Sequence, residues 1–198
     1  IVIHNYAGGS PNDIVVVKDL KARDNIDLIN DERDIIITRD NASVVEATNV
    51  ILEAQLSIIN EATIAAKNDA TLYAHGVTLK ADDEAIYNIG DINAAGEINH
   101  ATDAGAIYNT GTMQGTKGVV MLTNKDNNET TGNIINSGHI LTDRNAIIDS
   151  WGDLKNTGNI KAGGYVDLDA SGDVVNGDAA SSITGQIIAG REVYLTSW

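Results

Sequence analysis

The sequence predicts an all-β protein folded as a right-handed parallel β-helix, a β-solenoid of about nine coils. Three observations support this prediction: an Asn-x-Gly tripeptide that recurs at near-fixed distance, apolar residues at every second position, and a composition poor in aromatic residues. The glycines of the four tripeptides are 21, 27 and 20 residues apart, and they are Gly90, Gly111, Gly138 and Gly158. Self-similarity at such a period is typical of stacked repeats.

The segments between the tripeptides alternate in hydrophobicity when the repeats are aligned. Apolar side chains at every second residue indicate a strand with one buried face, whereas a helix needs them at every third and fourth residue. Two inward columns are apolar, and a third, which contains small residues, suits a narrow corner. The columns are Val119, Ala146, Val166 and Val193, then Met121, Ile148, Leu168 and Leu195, then Thr123, Ser150, Ala170 and Ser197.

Two seven-residue insertions interrupt the period of 20 residues. They run from Lys125 to Thr131 and from Gly177 to Ile183, and both are rich in polar or small residues. This composition favours surface loops that leave the stack of coils and return to it.

The N-terminal part is less regular than the rest. Residues 1–84 are interpreted as irregular coils and residues 85–198 as regular ones, in one continuous domain that is a fragment of a longer rod. Val50-Leu52-Ala54 and Ala70-Leu72-Ala74 keep the alternation, and Leu52 and Leu72 are 20 residues apart. An amphipathic helix over residues 46–67 is the alternative, but the abundance of Val, Ile and Thr favours strands.

Stacked coils place equivalent residues above one another, so the recurring asparagines predict an amide ladder. Its members are Asn88, Asn109, Asn136, Asn156 and Asn176. We predict turn glycines at Gly90, Gly111, Gly138, Gly158 and Gly185, with a positive φ at the first four, where a Cβ would be unfavourable. Tyr87 and Tyr108, one period apart, predict a second short ladder.

Three motifs resemble the haemagglutinin repeats of filamentous-haemagglutinin-type exoproteins. They are Asn-Thr-Gly-Asn-Ile at 156–160, Val-Asp-Leu-Asp-Ala-Ser-Gly-Asp-Val-Val-Asn at 166–176, and Ile-Ile-Ala-Gly-Arg-Glu-Val-Tyr-Leu-Thr-Ser at 187–197. The resemblance is clear over about residues 85–198. It implies a very large bacterial cell-surface protein exported by two-partner secretion, either an adhesin or the stalk of a contact-dependent inhibition toxin.

The resemblance also implies partners and a location. These are an outer-membrane transporter during secretion, a receptor on a host or bacterial cell surface, an extracellular position and a role in virulence. The net charge of −15 argues against nucleic acid as a ligand, because phosphates require a basic surface. No apolar run approaches the length of a membrane span.

Candidate catalytic and metal-binding residues are few. Asp149 with Asp169, and Asp153 with Asp173, are 20 residues apart and so stack on adjacent coils. Such pairs serve as general acid and base in β-helical carbohydrate-active enzymes or as calcium ligands, but an acidic surface also stacks carboxylates by chance. We therefore predict no enzyme activity, no cofactor and no metal site.

The remaining candidates are histidines, sequons and a tryptophan. The four histidines, His4, His75, His100 and His139, follow no metal-ligand spacing and are predicted at the surface or in turns. Asn41-Ala42-Ser43 and Asn128-Glu129-Thr130 match the glycosylation sequon. Trp151 occupies a column filled elsewhere by small or polar residues, so we predict that it is partly exposed. It is interpreted either as a contact for a partner or as a ring that lies over the adjacent coil.

Overall fold

A computed structural model describes residues 1–6, 12–38, 44–74, 84–102, 105–123, 132–178 and 184–198. Within these ranges the chain forms 25 strands, numbered in chain order, and no helix. Every strand pairing is parallel, and consecutive strands pass in turn to three different sheets. The predicted β-solenoid is therefore confirmed.

Sheet A contains nine of these strands, and between one strand of sheet A and the next the chain passes through sheets B and C. In spatial order they are β1 (Val2–Asn5), β4 (Asn25–Asn30), β7 (Asn49–Ala54), β10 (Ala70–Ala74), β13 (Glu97–Thr102), β16 (Gly118–Thr123), β19 (Asn145–Ser150), β22 (Val166–Ala170) and β25 (Val193–Ser197).

Sheets B and C contain eight strands each. Sheet B consists of β2 (Ile14–Val16), β5 (Ile35–Ile37), β8 (Ile58–Asn60), β11 (Glu84–Asn88), β14 (Ala106–Asn109), β17 (Ile134–Asn136), β20 (Leu154–Asn156) and β23 (Val174–Asn176). Sheet C consists of β3 (Leu20–Lys21), β6 (Val44–Ala47), β9 (Thr63–Ala66), β12 (Asp91–Ala94), β15 (Thr112–Gly115), β18 (His139–Thr142), β21 (Asn159–Ala162) and β24 (Gln186–Ala189). The described turns are slightly fewer than the nine predicted.

The register between strands follows the predicted columns. Ala146 pairs with Val119 on one side and with Val166 on the other, and Val166 pairs in turn with Val193. Inward residues from the three sheets fill one lumen, and most of them are completely buried. Burial of each inward Val, Ile or Leu contributes about 1.5–3 kcal/mol, which is the main stabilisation of such a stack.

The last described coil shows what a covering coil contributes. Val193 and Leu195 lie in the inward columns of β25, yet they are 43% and 56% exposed. Because β25 is the edge strand of sheet A, these side chains are covered from one side only.

The alternative helix over residues 46–67 is wrong. This stretch contains β7, β8 and β9 and the second half of β6. Leu52 pairs with Leu72, as the spacing of 20 residues predicts. Strands prevail because each residue of a coil gains hydrogen bonds and buried contacts from the coils on both sides.

Several predicted features lie partly or wholly outside the described residues. The insertion from Lys125 to Thr131 is outside them, and only Gly177 and Asp178 of the second insertion are described. Both sequon asparagines, Asn41 and Asn128, are also outside them. The described part of the chain has no helix long and apolar enough to cross a membrane.

Candidate functional site: amide ladders and an aromatic–acidic surface

The predicted asparagines stand above one another at the ends of five strands of sheet B, namely β11, β14, β17, β20 and β23. The Nδ2 of each of the first four donates to the Oδ1 of the next asparagine along the chain. The distances are 2.8 Å from Asn88 to Asn109, 2.7 Å from Asn109 to Asn136, 2.7 Å from Asn136 to Asn156 and 2.8 Å from Asn156 to Asn176. From Asn88 to Asn156 these side chains are 0–2% exposed, so the ladder lies inside the solenoid.

The ladder extends further toward the N-terminus than the sequence analysis predicted. Asn60 donates to Asn88 at 2.8 Å and is fully buried. The signal for Asn60 was present, because this residue interrupts the alternation of β8 at the position equivalent to Asn88. At the other end Asn176 donates to the carbonyl oxygen of Gly185 at 2.9 Å. The amides thus satisfy one another, which assigns them a structural role.

Two further polar ladders lie at other corners of the coil. Asn68 donates to Asn49 at 2.9 Å, and Asn49 donates to Asn25 at 3.0 Å. Before sheet B, the backbone N–H of Asp153 donates to Oδ1 of Asn133 at 2.7 Å, and that of Asp173 donates to Oδ1 of Asp153 at 2.9 Å. The Asp153–Asp173 pair therefore links coils through its backbone, and this explains its spacing without catalysis or calcium.

The predicted reason for the turn glycines is wrong. Among the described residues a positive φ occurs at Gly105 and Gly177, and not at Gly90, Gly111, Gly138 or Gly158. Glycine is required at these positions because adjacent coils leave no space for a side chain. A Cβ added at Gly111 would overlap the carbonyl oxygen of Gly90, and one at Gly138 would overlap that of Gly111. Gly185 has the same constraint against the backbone of Asn156.

The tyrosines of sheet B are adjacent, as their spacing indicates. Tyr87 pairs with Tyr108 in the register of β11 and β14. Their ring centroids are 5.9 Å apart and the rings meet edge to face. Since each lies between buried neighbours on its strand, the pair stands on the outside of the solenoid.

Trp151 lies at the corner that follows sheet A and is partly buried. Its backbone N–H donates to Oγ1 of Thr123 at 3.0 Å, and the Ser171 hydroxyl donates to its carbonyl oxygen. Its ring packs edge to face on Trp198, with centroids 5.3 Å apart, and Nε1 of Trp198 donates to Oδ1 of Asp169 at 2.9 Å. Trp151 is thus both packed and partly exposed.

The outer face of sheet A next to this corner is acidic. Asp149 and Asp169 are direct register partners, and Asp167 lies two residues from Asp169 on the same outward face. Tyr165 and Tyr194 border this face with ring centroids 6.2 Å apart. We call the surface formed by Asp149, Asp167, Asp169, Trp151, Trp198, Tyr165 and Tyr194 the aromatic–acidic surface.

Burial and neighbouring negative charge raise the pKa of two carboxylates of the aromatic–acidic surface. Partial burial raises the pKa of Asp149, and the charges of Asp169 and Asp167 raise it further. Burial and then Asp169 raise the pKa of Asp167. None of the ion pairs between described residues involves these three aspartates. The surface therefore carries concentrated negative charge beside aromatic rings, a combination that suits a cationic or polar partner.

The histidines do not form a site, and one of them is not where the sequence analysis placed it. His139 is exposed, and Nε2 of His4 lies 2.9 Å from Oδ2 of Asp31. His75 is outside the described residues. His100, however, is 1% exposed and points into the lumen, so its predicted place at the surface or in a turn is wrong. Its inward direction follows from the register, because it pairs with buried Leu72 and Met121.

Metal ligands do not converge in the part of the chain that the structure describes. There, no group of three or more His, Cys, Asp or Glu side chains has a geometry that could hold an ion. Comparisons with protein-family models, curated proteins and solved structures found no match to this chain.

Proposed function

We propose that this chain is a rod segment of a large exported bacterial surface protein, which mediates adhesion or holds a distal effector away from the cell. One observation carries the proposal: three parallel sheets and a continuous amide ladder join one coil to the next. A stack in which each coil contacts mainly its two neighbours forms an extended body with a long outer surface. The haemagglutinin-type motifs support the same role.

Adhesion requires an exposed surface with anchors, and the aromatic–acidic surface is the best candidate in this chain. Tryptophan and tyrosine are enriched among the residues that contribute most of the binding energy at the centres of interfaces. Trp151 and Trp198 support each other through ring contact, so little side-chain entropy is lost when a partner covers them. The proposed partner is a receptor on a host or bacterial cell.

Binding of the fluorescently labelled protein to intact epithelial and bacterial cells tests this proposal. We expect saturable binding that decreases at least fivefold in Trp151→Ala, since loss of a central aromatic anchor costs about 1–2 kcal/mol or more. Tyr108→Ala is the matched control, because Tyr108 is an outward aromatic residue on sheet B and does not belong to the aromatic–acidic surface. Equal binding by all three proteins would contradict the assignment of the surface, and no saturable binding to any cell would contradict the adhesive role.

A second candidate is a carbohydrate-active or calcium-binding solenoid. One observation favours it: Asp149 and Asp169 are stacked on an outer face, and the pKa of Asp149 is raised, as in an acid of a carboxylate pair. Screening of polysaccharides with the unmodified protein and with Asp149→Asn tests it. Turnover that disappears in Asp149→Asn, or a calcium-dependent rise in melting temperature that disappears in the same variant, would favour this candidate over the adhesive rod.

A further inference from the structure

His100 is the one histidine of the described residues that lies in the lumen. It occupies the central inward column of sheet A on β13, between Leu72 of β10 and Met121 of β16. The side chain is 1% exposed, and neither Nδ1 nor Nε2 has a hydrogen-bond partner. A buried imidazole without any partner is unusual, because most buried polar groups are hydrogen-bonded.

The described surroundings of His100 contain no counter-charge. The strands of sheets B and C beside it direct fully buried apolar side chains into the lumen, namely Ile86, Ile92, Ile107 and Met113. The ionisable side chains on these strands and on β13 face elsewhere: Asp91 and Glu97 are exposed, and Tyr87 and Tyr108 lie on the outside of sheet B. The side chains of Tyr73 and Glu84 are outside the described set.

Protonation of His100 would place a positive charge in this apolar lumen. A buried charge without a partner is strongly unfavourable, and the protein avoids it by opening or by keeping the group neutral. Burial accordingly lowers the pKa of His100 to about 4, from its ordinary value of 6.5. The unfolded chain binds this proton more tightly than the folded one. The contribution of neutral His100 to stability is therefore complete above pH 6.5, and it is lost as the pH falls from 6.5 to about 4.

We propose that His100 makes one part of the rod sensitive to acid. When its imidazole takes up a proton, the coils that contain β10, β13 and β16 open, while the distant coils stay closed. The opening is local because the stability of a solenoid is approximately a sum of terms for each coil and its two neighbours. The coils formed by β19 to β24 contain no histidine in their inward columns. This device is independent of the proposed adhesive role, and it would act wherever the rod meets an acidified compartment.

Hydrogen exchange followed by mass spectrometry tests the proposal. The unmodified protein, His100→Leu and His139→Leu are compared at about pH 7.5 and about pH 5, after correction for the pH dependence of intrinsic exchange. Leucine suits the position because Leu28, Leu52, Leu72 and Leu168 lie buried on sheet A, and Leu72 is the register partner of His100. His139→Leu is the control, since His139 is exposed on β18.

We expect the opening equilibrium constant of β13 and its neighbours to be about 30-fold larger at pH 5 than at pH 7.5, both in the unmodified protein and in His139→Leu. This factor follows from a pKa of 6.5 for His100 in the open state and of about 4 in the closed state. His100→Leu should show no such rise. Equal pH sensitivity with and without His100, or a loss of protection shared by all coils, would overturn the proposal. If His100→Leu does not fold, the NMR titration of the His100 ring in the unmodified protein decides: a midpoint near 6.5 in the folded state would overturn it as well.

Discussion

The indole rings of Trp151 and Trp198 meet edge to face with centroids 5.3 Å apart, although one complete coil lies between them. That coil places Ser171 at the intermediate position, and its hydroxyl donates to the carbonyl oxygen of Trp151. A small residue between two large ones therefore allows contact over a distance of two coils.

This contact predicts energetic coupling between the two tryptophans. In a double-mutant cycle of Trp151→Ala, Trp198→Ala and the double variant, we expect a coupling of about 0.5–1.5 kcal/mol, the range for aromatic pairs. Urea unfolding measures it. Acrylamide quenching gives an independent check, because Trp151 should become more accessible in Trp198→Ala. Effects that add without coupling would show that the rings do not support each other.

Loss of one amide from the ladder should destabilise the protein strongly. Asn109→Ala leaves the Nδ2 of Asn88 without its acceptor and the Oδ1 of Asn136 without its donor, and both are buried. We expect a loss of about 2–4 kcal/mol in the free energy of unfolding, since each unsatisfied buried group costs about 1–3 kcal/mol. The measurement is urea unfolding followed by circular dichroism.

The control for the ladder is Asn93→Ala, because Asn93 is an exposed asparagine on the outer face of sheet C. Its substitution should change the free energy of unfolding by less than about 0.5 kcal/mol. Similar losses in Asn93→Ala and Asn109→Ala would mean that the ladder contributes nothing beyond the general effect of removing an amide.

Two glycines separate the effect of crowding from that of backbone conformation. Neither Gly111 nor Gly118 has a positive φ. A Cβ at Gly111 would overlap the backbone of Gly90, whereas the nearest atom to a Cβ at Gly118 is 3.5 Å away. We expect Gly111→Ala to lower the free energy of unfolding by about 1–3 kcal/mol or more. Gly118→Ala should leave it unchanged or raise it, because alanine restricts the unfolded chain.

Thermal unfolding of the two glycine variants is a direct comparison, since each adds one methyl group to the chain. Equal melting temperatures for Gly111→Ala and Gly118→Ala would show that the coils can move apart to accept a methyl group. The tripeptide glycine would then have no packing role.

Asp149, on the aromatic–acidic surface, should lower the stability of the folded protein at neutral pH. Burial first, and then Asp169 and Asp167, raise the pKa of Asp149, so the folded protein holds this proton more tightly than the unfolded chain. Ionisation therefore lowers stability as the pH rises above the ordinary value of 3.8. We expect Asp149→Asn to raise the melting temperature at about pH 7 and to have little effect at about pH 3.

Salt distinguishes repulsion from other effects of the Asp149→Asn substitution. The gain at neutral pH should shrink in about 0.5 M NaCl, because these carboxylates are partly exposed and salt screens them. Asp91→Asn, at an exposed position on sheet C, should give no comparable gain. A decrease in melting temperature in Asp149→Asn would show that the carboxylate makes a favourable contact that outweighs the repulsion.

The fold could be predicted from the sequence because every coil has to satisfy the same requirement, the burial of its apolar face. The register of Val119, Ala146 and Val166 follows from a spacing that each coil must keep to bury its apolar face. Asn88 and Asn109 could be assigned to one ladder for the same reason. Asn133, Asp153 and Asp173 also recur every 20 residues, and in the structure the side chains of Asn133 and Asp153 accept hydrogen bonds from the backbone of the next coil. The spacing of Asp153 and Asp173 alone did not distinguish this structural role from catalysis, calcium binding or chance.

Features that depend on the packing around a single residue could not be predicted from the repeat. The glycines follow the asparagines at a fixed offset, but their spacing does not reveal whether φ or crowding requires them. His100 lies in an inward column, yet a polar residue in that column has no precedent in the coils beside it, where Leu72 and Met121 stand. The contact between Trp151 and Trp198 depends on the small size of an intermediate side chain.

The amide ladder has a consequence for how the length of this molecule can change. Asn156 accepts a hydrogen bond from Nδ2 of Asn136 and donates one to Oδ1 of Asn176, so each step of the ladder joins an Nδ2 to an Oδ1. Removal of residues 137–156 would bring Asn136 next to Asn176 in an equivalent register, and duplication of that segment would insert one more identical step. Genes that encode such an array can therefore lengthen or shorten the rod in whole-turn increments that keep this ladder in register.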